Sequence, residues 1–467
     1  MKAALLVPLV LLATLASAAP RPMTVEDVAT MTSLSQPRLS PDGRRVAFVV
    51  LEADLDRSRY QTDIWLVGAD GSRALPLAHS RENDRAPQWA PDGRLAFLSD
   101  RGGSMQIWII DPAGGEASPL TQHPSSIGSY RWSPDGRSIA FVARDTEQPE
   151  IAERRRARDD ARVVGAGARH EHLWVFDLET RKSRKVTGGD YTVFEYDWAP
   201  DGRTFAIAKS TGTGLPDKFR SDLFLIDARG GELTPLVVQP GTDTNPRFSP
   251  DGRWIAFVTG QGKADWAADD DLAVVPAGGG APKIISADYD RHVEQYTWAA
   301  DSRAIYWSGP WNLREQLFRV GIDGSGFTDI SRVAGVATDA HFLPSRDLVA
   351  YVFESLNEPP EIFISPLSRF APRRLTDLNA RYRELQRAER RVVRWTNPQD
   401  GLQIEGILTL PAGYRGGERV PLLTFVHGGP SSQFSEEFLG YLAHVYPVHI
   451  FAARGYAVLQ PNPRGSG

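Results

Sequence analysis

The run PLLTFVHGGP (421–430) closes an apolar stretch with His427, Gly428, Gly429 and Pro430. Glycine lets another molecule approach the main chain closely, so Gly428 and Gly429 are candidate backbone contacts to a ligand. A second loop, NPRGS (462–466), closes the strand-like run GYAVLQPNP (455–463). Acyl transfer by a hydrolase serine needs that Ser on a strained strand-to-helix turn, in a Gly-x-Ser-x-Gly frame. No Ser of this chain has Gly at both −2 and +2. There is no Cys, which excludes a thiolate nucleophile, a disulfide and a Cys-ligated metal. His170 and His172 share one side of a strand, a spacing that suits zinc, but no third ligand accompanies them. Glu436-Glu437 is the only Glu-Glu pair. The residues offer no metal set and no cofactor motif.

The elements that must position these residues are dominated by a repeat. SPDGRRVAFV (40–49), APDGRLAFL (90–98), SPDGRSIAFV (133–142), APDGRTFAIA (199–208) and SPDGRWIAFV (249–258) share one signature. AADSRAIYWS (299–308) and LPSRDLVAYV (343–352) are degenerate copies, making seven units 43 to 66 residues apart. In Ser-Pro-Asp-Gly the Pro presets the first central φ of a type I turn and the Gly accepts the conformation that leaves it. The apolar run that follows is a short strand, so each copy predicts a hairpin. Trp89, Trp132, Trp198, Phe248 and Trp298 precede the turns. A further strand recurs in each unit, as in DIWLVGADG (63–71) and HLWVFDLET (172–180), and then a short one, as in SPLTQ (118–122) and RRLTD (373–377). Four strands per unit are the content of one propeller blade, and a lone small sheet cannot bury both its faces. The period is too long for a solenoid coil and too regular for a sandwich. The expected fold is therefore an all-β seven-bladed propeller over 34–388, followed by the N-terminal part of an α/β-hydrolase domain over 389–467.

Two stretches depart from the repeat. ERRRARDDAR (153–162) is charged and reads as a solvated helical excursion. RPMTVEDVATMTSLS (21–35) carries a helix start at TVED and is expected to fold back on the last domain. After about residue 388 the period changes. ERRVVRWT (389–396) and LQIEGILTLP (402–411) read as strands joined at NPQDG, VPLLTFVHGG (420–429) as a buried strand, 432–454 as partly helical and YAVLQPNP (456–463) as a further strand. Strands interleaved with a helix indicate α/β architecture.

The formal charge of −5 argues against nucleic acid or an anionic membrane as partner. Met1-Lys2, the apolar run AALLVPLVLLATLA (3–16) and the small-x-small frame Ala16-Ser17-Ala18 predict a signal peptide over 1–18, cleaved after Ala18. Fourteen apolar residues fall short of the roughly 20 needed to span a bilayer. The expected product, beginning with an N-terminal segment over 19–33, is exported to the periplasm or secreted, without a membrane anchor. Oligomeric state is left open.

The PDG repeats followed by RWTNPQDGLQIEGILTLP, HGGP and AARGYAVLQPNPRGS resemble the prolyl oligopeptidase family of serine peptidases, in its acylaminoacyl-peptidase and bacterial dipeptidyl-peptidase branch. The resemblance covers nearly all of the chain after the leader. It implies an oligopeptide substrate, no cofactor and a Ser-His-Asp acyl-enzyme mechanism. It also implies that Ser, Asp and His follow NPRGS. The expectation is thus a C-terminally truncated chain, inactive as given, with the catalytic triad beyond Gly467. In family members with HGGP one oxyanion donor is a backbone N–H of the glycine turn, which maps to Gly428 with Gly429 beside it. His427 opens that turn and is not read as the base, which the family places on a later loop. Pro430 is read as fixing the turn and Arg464 as pinning the next loop. Related dipeptidyl peptidases hold a substrate amine with a Glu pair in the propeller, and no such pair is evident in this sequence. The alternative is a noncatalytic exported propeller of the Tol type, which has no use for 389–467.

Overall fold

The computed structural model describes residues 20–159, 168–214, 217, 219–263, 270–429 and 432–466. The expected leader at 1–18 and Pro430 lie outside the described residues.

Each PDG copy makes the predicted hairpin. In the first, Ser33–Leu39 pairs antiparallel with Arg45–Asp54. Ser40 Oγ receives the Arg45 N–H at 3.0 Å and reaches Asp42, and Gly43 takes φ +74°. The degenerate copies keep the same left-handed step without glycine, on Ser302 (φ 60°) and Asp347 (φ 56°). Asp is among the few residues that visit this region; the Asp347 side chain is held from outside the turn, accepting from the Ser368 N–H at 2.8 Å.

Among the described residues, five four-stranded antiparallel sheets span 33–78, 84–119, 127–185, 192–237 and 243–284. Two further four-stranded meanders, 296–329 and 336–374, are joined into one eight-stranded sheet by the parallel pair Glu315–Val336. The second strands are almost wholly buried, as in Val46–Val50 and Leu95–Ser99. Each meander packs face to face on the next. The last packs on the first, where Val352, Ile362 and Ile364 meet Leu34, Val46 and Phe48. Two of the aromatics before the turns tie neighbours together. Trp89 Nε1 donates to the Arg38 carbonyl at 2.8 Å, and Trp298 Nε1 repeats this with Arg247 at 3.0 Å. A second recurring tie lies inside the sheets. Thr121, Ser286, Ser331 and Thr376 each accept the N–H of Ile107, Leu272, Leu317 or Ile362, fourteen residues earlier in each case. Each hydroxyl then donates to the polar residue just before that N–H in the strand: Gln106, Asp271, Gln316 or Glu361.

A separate sheet follows, in the order Arg390–Thr396, Gln403–Thr409, Ala457–Asn462, Leu422–Thr424. Successive strands among the first three pair antiparallel, and the last two are parallel to each other. The helix Val448–Ala453 supplies the crossover between that parallel pair. The expected buried strand at 420–429 is instead an edge. Leu422 is 55% and Val426 61% exposed, because Ala457–Asn462 is its one strand neighbour among the described residues.

The short helix Val25–Ala29 starts at a capping box between Thr24 and Asp27. Met23, Val28 and Met31 pack with Phe438, Leu439 and Ile450, so this segment does fold back on the last sheet's connections. The charged excursion is helical over Pro149–Arg156, ending earlier than the sequence suggested; 160–167 lie outside the described residues.

Candidate active-site turn and its supports

Gly428 and Gly429 stand at the carboxyl end of the strand Leu422–Thr424. The NPRGS loop leaves the carboxyl end of the parallel strand beside it. In open α/β sheets that edge is where ligands bind. Among the described residues a Cβ built on Gly428 would meet nothing within 4 Å, as at other open turns such as Gly401 and Gly413, so protein packing does not demand glycine there. The open space fits a main chain left bare for an incoming group. Gly429 takes φ +149°, which restricts other side chains.

His427 holds the two loops together. Its Nε2 lies 2.8 Å from Ser466 Oγ and its Nδ1 2.9 Å from the Gly428 carbonyl. Both ring nitrogens are thereby engaged, which accords with a positioning role. The ring also meets Phe434 edge-on at 5.2 Å. Asn462 clamps Phe434 from the other side, accepting its N–H at 2.8 Å and donating to its carbonyl at 2.9 Å. Arg464 forms an ion pair with Asp400 of the NPQDG turn, so it does pin its loop.

The segment 435–438 bridges this sheet to the last two meanders. Glu436 pairs with Arg314 at 2.9 Å and its N–H donates to the Leu313 carbonyl at 2.7 Å. The Phe438 N–H donates to Glu354 at 2.7 Å. Arg390 reaches the carbonyls of Glu437 and Phe438 and the Gln460 side chain. The Glu436-Glu437 pair is therefore split in role. Glu436 is a buried, ion-paired clasp, whereas Glu437 joins a half-buried acidic group with Glu354 and Glu315. Burial, then the neighbouring carboxylates, push Glu354 up to about 8 and Glu315 up to about 7. Burial also raises Glu437. Burial holds Arg390 down at about 10, which leaves it charged at neutral pH. Sequence reading missed Glu315, Glu354 and Arg390. A charged residue inside an otherwise apolar strand run was the available signal.

His170 and His172 come together only loosely, with ring centroids 6.4 Å apart. His172 is fully buried, and burial pushes it down to about 4, so it is neutral. Its Nδ1 faces Thr187 Oγ1 at 3.3 Å. Among the described residues no group of three or more His, Cys, Asp or Glu is placed to hold a metal ion.

A family model described as TolB beta propeller domain matches residues 8–172. The chain is 26% identical over 476 residues to dipeptidyl-peptidase 5 of Porphyromonas gingivalis, covering 95% of this chain and 68% of that protein. It is 24% identical over 540 residues to the uncharacterized peptidase YuxL of Bacillus subtilis, covering 95% and 71%. Its fold matches the acylaminoacyl peptidase of Pyrococcus horikoshii with a TM-score of 0.76 at 21% identity, over 96% of this chain and 67% of that one. The chain thus spans about two thirds of the length of these proteins. No helix among the described residues is long and apolar enough to cross a membrane.

Proposed function

We propose that the chain is a member of the prolyl oligopeptidase family of serine peptidases and hydrolyses oligopeptides as part of an exported enzyme of that family. In this reading residues 34–388 are a seven-bladed propeller and 389–467 the leading part of an α/β-hydrolase domain. The nucleophile, its base and the orienting Asp lie in sequence that follows Gly467. The observation that carries the reading is the bare turn at Gly428, set at the carboxyl end of a parallel strand pair and tied by His427 to the NPRGS loop. The N–H groups of Gly428 and Gly429 serve as the oxyanion donors this chain supplies. Such a donor is worth roughly 3–4 kcal/mol in the transition state. The exposed edge at Leu422 and Val426 supports further strands beyond it.

A fluorophosphonate probe tests this. The 467-residue chain is expected to remain unlabelled. A chain translated from the reading frame continued past codon 467 is expected to label on a Ser in a Gly-x-Ser-x-Gly frame. Active-site-directed labelling of the 467-residue chain, or a continuation without that frame, would overturn the reading. The match to the TolB propeller model favours a second reading, a noncatalytic exported binding propeller. A stable secreted product ending at residue 467 would favour it.

A further inference from the structure

Between the second and third sheets lies a pocket of about 670 Å³ that the peptidase reading does not use. Its floor is aromatic. Trp174 and Phe176 are alternate residues of the strand Glu171–Asp177, and both join the apolar cluster shared with the second sheet. His123 meets Trp174 edge-on at 4.6 Å. The Trp174 Nε1 is shielded from solvent and has no hydrogen-bond partner.

The rim is cationic. Of its three cations, Lys185 is taken by Asp145 at 2.6 Å and Arg144 by Glu171 at 3.1 Å. Arg181 is different. Its guanidinium donates to the carbonyls of Pro119 at 3.1 Å and Leu120 at 3.4 Å, and among the described residues no carboxylate is placed on it. Those two bonds fix the group at the rim and leave it charge-uncompensated. A purely apolar ligand would leave that charge unused. A simple inorganic anion would leave the aromatic floor unused.

We propose that this pocket binds an aromatic carboxylate, with its flat body on Trp174 and Phe176 and its carboxylate on Arg181. The volume is within the usual range for small-molecule sites, about 300–1,000 Å³. Guanidinium and carboxylate match in geometry as well as charge. The site is independent of the hydrolytic reading. Its ligand chemistry is shared by a free aromatic acid and by the carboxy end of a peptide that closes on Phe.

Calorimetric titration of the 467-residue chain with 3-phenylpropionate and with its neutral amide tests the proposal. The acid is expected to bind at least about tenfold more tightly, a difference of about 1.4 kcal/mol. Arg181→Gln is expected to abolish that preference and Arg181→Lys to keep part of it. Trp174→Leu is expected to weaken both ligands. Ala-Ala-Phe and its amide repeat the comparison for a peptide end. A preference in both pairs assigns peptide ends as well, and a preference in the first pair alone assigns free acids. Equal binding of 3-phenylpropionate and its amide, an unchanged preference in Arg181→Gln, or no binding at about 10 mM, weaker than any useful affinity, overturns it.

Discussion

The main-chain N–H of Phe438 points into the Glu354 carboxylate at 2.7 Å, across the boundary between the last meander and the sheet that follows it. One hydrogen bond thus joins two bodies through a group that burial makes reluctant to ionise. Glu437 and Glu315 add negative charge beside it, and Arg390 is the cation that faces Glu437 and Glu354. A raised carboxyl holds its proton in the docked state after the unfolded chain has lost it. Stability at this boundary is therefore fully present below the ordinary Glu value of 4.5 and falls as pH rises towards about 8.

Glu354→Gln should remove much of that slope. The amide oxygen still accepts from Phe438, and no charge has to be buried. We expect the melting temperature near pH 8.5 to rise by a few degrees, on the order of 1 kcal/mol for relief of a poorly solvated charge. The variant and the unmodified chain should converge near pH 5. Thermal scans across that range check it, and an unchanged slope would count against Glu354.

Two sheets carry the same buried acid with different partners. Asp84 is fully buried and pairs with Arg101 at 2.6 Å. Asp243 occupies the matching place in the fifth sheet and is equally buried; each acid keeps one oxygen without a partner, but the other oxygen of Asp243 accepts from neutral Gln239 at 3.0 Å rather than from an arginine. Gln261 stands where Arg101 does, turned instead towards Asp271. Burial pushes Asp243 up to about 7. Gln261→Arg is expected to bring it down and to stabilise the chain by roughly 1–3 kcal/mol at pH 8, the scale of a buried charge gaining its partner. Carboxyl titration by NMR with denaturant melts at pH 8 reads both effects.

The cap at Thr24 supports the segment that covers Phe438 and Ile450. Thr24→Ala should cost about 1 kcal/mol, the usual value of an N-cap. Hydrogen exchange should rise over 22–31 and over 438–450 together, since Met23 and Val28 pack on that surface. A rise confined to 22–31 would show the two regions to be uncoupled.

The sheet at 390–462 is open at the short edge strand Leu422–Thr424, which has a single strand neighbour among the described residues. Amides of 422–425 are expected to exchange faster than those of 46–50 by at least about a hundredfold, since local opening spans nearly the whole range up to global stability. Equal protection would contradict the exposed edge at Leu422 and Val426.

Much of the architecture was readable because each PDG turn states its own geometry. Pro, Asp and Gly fix a hairpin locally, and the apolar run after them has one way to be buried. Even the copies without glycine were found by the strand that follows, and Ser302 and Asp347 confirm why the turn survives. The Thr or Ser that follows several third strands, as in SPLTQ and RRLTD, was also visible, though its hydroxyl role was not. What stayed hidden is the boundary. Glu315, Glu354 and Arg390 are far apart in sequence, and no period relates a strand end in one body to a loop in another. The burial of 420–429 was overstated for a similar reason. Hydrophobicity marks a strand as fit for a core, but the number of its neighbours is a property of the whole sheet.

Every meander is drawn from one uninterrupted stretch of chain, and none borrows a strand from the opposite terminus. As the polypeptide leaves the ribosome, each sheet has all its partners in hand before the next begins. Local pairing of this kind favours rapid folding. The seam of Leu34, Val46 and Phe48 with Val352 and Ile362 is the exception: it waits some three hundred residues for its other half. Until then the first sheet carries an unclothed apolar face, and a newborn chain is most in need of a chaperone there.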